Sequence, residues 1–87
     1  MSIYVDPEKL IKGQYWCHMS ADSLAELHAF AEQIGVKKCW FHNPKRRGMP
    51  HYDLGTDARK RAVAAGAVEI TAREMVDKFR GQTSLDL

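Results

Sequence analysis

Apolar and polar positions alternate in two early stretches of the chain and recur at helical spacing in three later ones. Ser2 to Val5 is short, β-branched and aromatic, and Asp6-Pro7 stops it, so it predicts a strand. Glu8 to Gln14 forms a connector with a short turn around Leu10-Ile11. Tyr15 to Ser20 predicts a second strand, with Tyr15, Cys17 and Met19 on one face and Trp16 and His18 on the other. The clearest helix follows. Ser23 to Glu26 has capping-box spacing, and Asp22 just ahead adds a favourable charge at the helix start. Leu24, Leu27, Ala31 and Ile34 then recur at helical period until Gly35 ends the element.

Val36 to Phe41 predicts a third strand, leading into a basic loop broken by Gly and Pro, from Asn43 to Pro50. A second helix is expected from Asp57 to about Ala65, closed by Gly66, and Ala67 to Ile70 reads as a short strand. Thr71 to Glu74 repeats the capping box and opens a third helix that buries Met75, Val76 and Phe79. Gly81 ends it, leaving residues 82–87 as a flexible tail.

The order β-β-α-β-α-β-α predicts a small α/β fold for residues 1–81. Its expected architecture is a partly parallel four-stranded sheet with right-handed crossovers, packed by three helices. In such sheets ligands collect beyond the carboxyl ends of the strands. That rule points to Asp6, to His18 through Asp22, and to the loop ending in His51-Tyr52-Asp53, with Thr71 after the last strand.

Size and charge narrow the picture. The chain has 87 residues, enough for one core and no second one. Two cysteines, Cys17 and Cys39, are too few for a secreted disulfide scaffold. No basic segment followed by an apolar run opens the chain, and no stretch reaches the length of a membrane span. A cytoplasmic setting with both thiols free is expected, with no membrane partner. The net charge is only +2, yet Lys37 to Arg61 holds eight Lys and Arg against two acids. This local excess favours an anion-facing surface in the middle third.

Several pieces together resemble a small bacterial and bacteriophage family, domain of unknown function 4031. They are Tyr4-Val5-Asp6, Cys17-His18-Met19 with Ala21-Asp22, Glu26-Leu27-His28 with Phe30-Ala31, and Ile34-Gly35. Trp40-Phe41, His51-Tyr52-Asp53-Leu54, Arg61-Ala62 and Gly66-Ala67-Val68-Glu69 continue the match. The resemblance implies a standalone cytoplasmic domain, often carried by phages, and supplies no agreed activity. The stretch from Asn43 to Pro50 is longer than the corresponding loop in many relatives, so any role for Lys45, Arg46 and Arg47 rests on this sequence alone.

The chemistry-bearing residues fall into several groups. His18, His51 and Asp53, with Asp6 and Asp22 as additions, suit proton transfer or a nitrogen–oxygen metal site. No HExxH or comparable signature fixes the choice. Lys45, Arg46 and Arg47 of the loop, with Arg59, Lys60 and Arg61 of the second helix, could grip phosphate. Free N–H groups at the helix start near Thr56-Asp57 could add to this, though Asp57 opposes an anion there. Trp16, Trp40 and Tyr52 could stack a base beside these charges, although Trp40 suits the core equally well and is assigned to it. His28 lies on an apolar helix stripe and is expected to bond a nearby carbonyl. Cys39 and His42, with Cys17 and His18, offer soft ligands, but there is no CxxC knuckle, and buried free cysteine is the default. No GxxxxGKS/T or GxGxxG phosphate cradle is present.

Three functions follow as expectations. The first is binding of a phosphate-bearing ligand, a nucleotide or nucleic acid. Arg46, Arg47 and Lys45 would supply charge, with Arg59 as an addition, and His51, Tyr52 and His18 orientation. The second is a metal-assisted phosphodiester hydrolase in which His51, Asp53 and His18 are catalytic. The third, suggested by the phage-associated family, is an interaction protein that binds a host factor. Neither a cofactor nor the metal is specified by the residues.

Overall fold

A computed structural model of the chain describes residues 2–43 and 49–78. Its longest strand, β3 (Gln14–Ala21), sends Cys17 and Met19 into the core and Trp16 and His18 to the opposite face, as alternation requires. β1 (Ile3–Val5) and β5 (His51–Leu54) flank β3, both antiparallel to it. β4 (Phe41–His42) pairs antiparallel with β5 at one edge, and β6 (Val68–Glu69) pairs parallel with β1 at the other. The class is α/β, as the pattern of elements predicted. The sheet has six strands rather than four, and among the described residues only β1 and β6 run parallel.

The sixth strand, β2 (Lys9–Ile11), lies in the stretch expected to be a connector. Val5 opposes Met19 while Lys9 opposes Trp16, so the register along this edge of β3 slips by one residue. That slip is a β-bulge at Asp6-Pro7-Glu8, where proline cannot donate to the ladder. The β2–β3 turn needs a left-handed backbone at Lys12 (φ 50°) and Gly13 (φ 80°).

Two helices, α1 (Leu24–Gln33) and α2 (Thr56–Ala64), cover one face of the sheet. Leu27 and Ala31 from α1 and Ala58 and Ala62 from α2 meet Val5, Met19, Tyr52 and Leu54 from the strands. Burying each large apolar side chain contributes about 1.5–3 kcal/mol before entropy is counted. The third helix, α3 (Ala72–Lys78), inserts Met75 beside Tyr4, Met49 and Ile70. Since Tyr4 alternates with Val5, α3 covers the other face of the sheet at its β1 end. Among the described residues, no helix covers the remainder of that face.

Both predicted N-caps form, and at Thr71 the capping box is reciprocal. The Ser23 hydroxyl accepts from the Glu26 amide at 3.2 Å, and Thr71 and Glu74 exchange amide-to-side-chain bonds of 2.9 and 3.0 Å. Asp22 accepts from the Ser2 amide instead of capping α1. Other expectations change. Lys38–Trp40 forms a 3-10 turn where a longer strand was expected, and α2 starts at Thr56 with Gly55 as its cap. Val76 is exposed, because α3 buries only one narrow face. Phe79 and the tail at 82–87 lie outside the described residues. Among the described residues, no helix is long and apolar enough to cross a membrane.

Candidate functional site

The open face holds a cleft of about 550 Å³. Its floor comes from the outward positions of β3 and β5, namely Trp16, His18, His51 and Asp53. Trp40 from the 3-10 turn and Lys9 from β2 stand at its sides. The cleft lies across the sheet rather than beyond the carboxyl ends of its strands. That correction has a topological reason. In an antiparallel sheet the carboxyl ends alternate between edges, so the rule for parallel sheets finds no common rim.

Histidine 18 is held by the bulge. Asp6, 3% exposed, accepts from the His18 amide at 2.7 Å and faces its Nδ1 at 2.9 Å. The Asp6 amide also donates to the His18 carbonyl at 3.2 Å. The Asp6 bond raises the pKa of His18 above its ordinary value, against the opposing pull of burial. For Asp6 itself burial acts upward, but the bonds from the His18 ring and amide, with its charge, outweigh it and lower the pKa. The pair therefore favours a charged imidazole on a charged carboxylate.

Histidine 51 is held differently. Its Nδ1 lies 2.8 Å from the Met49 carbonyl, and its Nε2 lies 3.4 Å from Asp53 Oδ1. Burial lowers its pKa, and the nearby His18 and His42 add to this, so His51 favours the neutral ring. The rings of His18 and His51 meet edge to face at 4.9 Å. One ligand atom from each of His18, His51 and Asp53 lies within 4.8 Å of the others. The three residues singled out by type in the sequence thus converge, although His18 and Asp53 belong to different strands. They sit directly opposite each other in the β3–β5 register.

Sequence reasoning undervalued His42, which was weighed only with the cysteines. It opposes His51 in the β4–β5 pair, stacks on that ring at 5.5 Å, and bonds Asp53 Oδ2 through Nε2 at 3.0 Å. Trp40 was assigned to the core, yet it lines the cleft, meeting Trp16 edge to face at 6.5 Å. No local signal marked either residue, because both depend on the β4–β5 hairpin.

The chain belongs to the family described as Protein of unknown function (DUF4031). The match spans residues 3–82 and includes Asp6, His18, His42, His51 and Asp53. No curated protein and no solved structure matches the chain. The reading of this DUF4031 member must come from its own geometry.

Other sequence-assigned residues of the DUF4031 domain lie elsewhere. Tyr52 is 1% exposed and points to the helix side, where its hydroxyl meets His28 Nδ1 at 2.7 Å. It does not reach the cleft, because it alternates with His51 and Asp53 along β5. His28 finds this phenol rather than a carbonyl. Arg59 donates from Nε to the Asp6 carbonyl at 3.0 Å and pairs with Glu69 at 3.1 Å, so it ties α2 to β1 and β6. Arg61 donates to the Ile34 carbonyl at the end of α1. The cations of α2 at these two positions are therefore occupied inside the fold. Lys45, Arg46 and Arg47 lie outside the described residues. Cys17 is buried, which pushes its thiol up to about 12, whereas Cys39 is exposed.

Proposed function

We propose that this domain binds a phosphate-bearing aromatic ligand, a nucleotide or a nucleic-acid segment, in the open-face cleft. One observation carries the reading: the Trp16–Trp40 pair and the histidine cluster line the same cavity. Its volume of about 550 Å³ suits a ligand of nucleotide size. Indole faces stack bases without regard to sequence, each contributing about 1–3 kcal/mol. Positive charge comes from Lys9 and from His18, which Asp6 favours in its charged form. Lys45, Arg46 and Arg47 lie between His42 and His51 in sequence.

The test is tryptophan fluorescence during titration with mononucleotides and with short single-stranded DNA and RNA. Saturable quenching that weakens with salt is expected. Trp40→Ala should weaken binding about tenfold, in line with the loss of one stacking partner. Absence of saturable quenching by any of these ligands removes the reading.

A further inference from the structure

We propose that His18, His51 and Asp53 form a binding site for a divalent transition-metal ion of the zinc or manganese kind. The site occupies the same cleft as the proposed nucleotide, but its argument and its test need no nucleotide.

The Met49 carbonyl can only accept, so the His51 Nδ1 beside it must be the donor. Asp6 also holds the Nδ1 of His18, and its carboxylate likewise accepts. A metal ion would displace the Nε2 proton that Asp6 favours on His18, and each neutral ring then presents a bare Nε2. For His51 that lone pair faces Asp53 Oδ1 at 3.4 Å, so two electron-rich atoms confront each other. Such a contact is resolved by a proton or a cation between them.

The dimensions suit a metal ion. Ligand atoms about 2.0–2.1 Å from a tetrahedral ion stand roughly 3.4 Å apart. The His51–Asp53 distance already has that value; one ligand atom from each of the three residues lies within 4.8 Å of the others, so the wider separations would close as the ion binds. Two imidazoles and one carboxylate select zinc, manganese or ferrous iron over calcium and magnesium, which prefer oxygen donors. Three protein ligands leave the remaining position to water or substrate, the arrangement of catalytic rather than structural sites.

Each ligand also has an orienting partner. Asp6 holds His18, the Met49 carbonyl holds His51, and His42 holds Asp53. Outer partners of this type fix the tautomer and ring direction of metal-binding histidines. A cation also removes a difficulty in the cleft, since the Asp53 carboxylate would otherwise repel a phosphate beside it. The ion would bridge the two.

The experiment is a calorimetric titration of the full chain, freed of metal by a chelator, with zinc and with cobalt(II). The cobalt absorption spectrum supplies the second readout. One ion per chain is expected, with a spectrum free of thiolate charge-transfer bands and unaltered in Cys39→Ser. Asp53→Asn, which keeps the side-chain shape, and His51→Ala should each weaken binding at least 100-fold. Asp6→Asn should weaken it about 10–100-fold, as loss of an outer partner does. Wild-type protein that takes up no ion, leaving only a shared proton between His51 and Asp53, overturns the site. So does uptake that survives Asp53→Asn and His51→Ala, or that vanishes in Cys39→Ser. Nucleotide binding without metal uptake defeats this proposal alone, and metal uptake without nucleotide binding defeats the previous one alone. Because the wild-type titration decides by itself, a variant that fails to fold leaves the test intact.

Discussion

Toward the helices, β3 and β5 present Cys17, Met19, Tyr52 and Leu54; toward the cleft, the same strands present Trp16, His18, His51 and Asp53. Alternation along the strands separates these sets, yet they are organised by different forces. The helix-side face is ordered by close apolar contact, with Tyr52 and His28 as a polar pair within it. The cleft face is ordered by hydrogen bonds, with the Asp6–His18, His51–Met49 and His42–Asp53 contacts fixing direction rather than filling space. One side therefore supplies most of the stability, and the other spends its residues on orientation.

The largest expected effect breaks the apolar side. Leu54→Ala should cost about 2–5 kcal/mol in urea unfolding, since Leu54 is fully buried between sheet and helices. A loss comparable to that of an exposed-site substitution would show that the core is not where the stability lies.

Next comes the buried anchor of the cleft. Asp6→Asn should cost about 1.5–3 kcal/mol near pH 6, the range for a hydrogen bond to a charged group. Its pH dependence sharpens the point. The folded pKa of Asp6 is lowered, so its contribution is present above the ordinary value of 3.8 and lost as pH falls through the folded one. That of His18 is raised, so its contribution is full below 6.5 and lost as pH rises through the folded value. Metal-free protein should thus gain most from the pair between about pH 4 and 6.5. In Asp6→Asn the plateau over that window should drop and the falls in stability on either side of it should flatten; an unchanged profile would show that the pair does not act this way.

A smaller effect probes the Tyr52–His28 pair on the helix side. Tyr52→Phe leaves His28 Nδ1 without its phenol and should cost about 1 kcal/mol, read by thermal or urea melting. Nucleotide binding should be unchanged, because Tyr52 does not reach the cleft; weakened binding would erase the division between the faces. The mildest test leaves stability untouched. An aromatic disulfide reagent at pH 8 should modify Cys39 promptly and Cys17 only on unfolding, because burial pushes the Cys17 thiol up to about 12. Equal rates in native protein would show the helix-side face to be open.

Elements with a local code were legible in the sequence. The capping boxes at Ser23 and Thr71 and the alternation of Tyr15 to Ser20 each predicted their element, since the signal and the structure span the same few residues. Elements defined by partners were not. β2 has three exposed residues and exists only because it pairs with β3 across the Lys12-Gly13 turn. β5 is four residues long beside a basic loop, and its period is too short to stand out. The site shows the same limit. His18, His51 and Asp53 were chosen by residue type, but the approach of His42 and the exposure of Trp40 arise from register across the β4–β5 hairpin. Tyr52 was misplaced for a related reason: adjacency in sequence to His51 and Asp53 means opposite sides in a strand.

The pairing of β1 has a consequence for biosynthesis. One of its neighbours, β3, follows soon after it, whereas the other, β6, is translated much later. A nascent chain halted before Val68 carries β1 with an unpaired edge, the kind of template on which strands of other molecules add. Arg59, already made by then, has no Glu69 to meet, so only its bond to the Asp6 carbonyl remains to steady that strand. Docking of Val68 and Glu69 onto β1 is thus the step that closes this edge against misassembly.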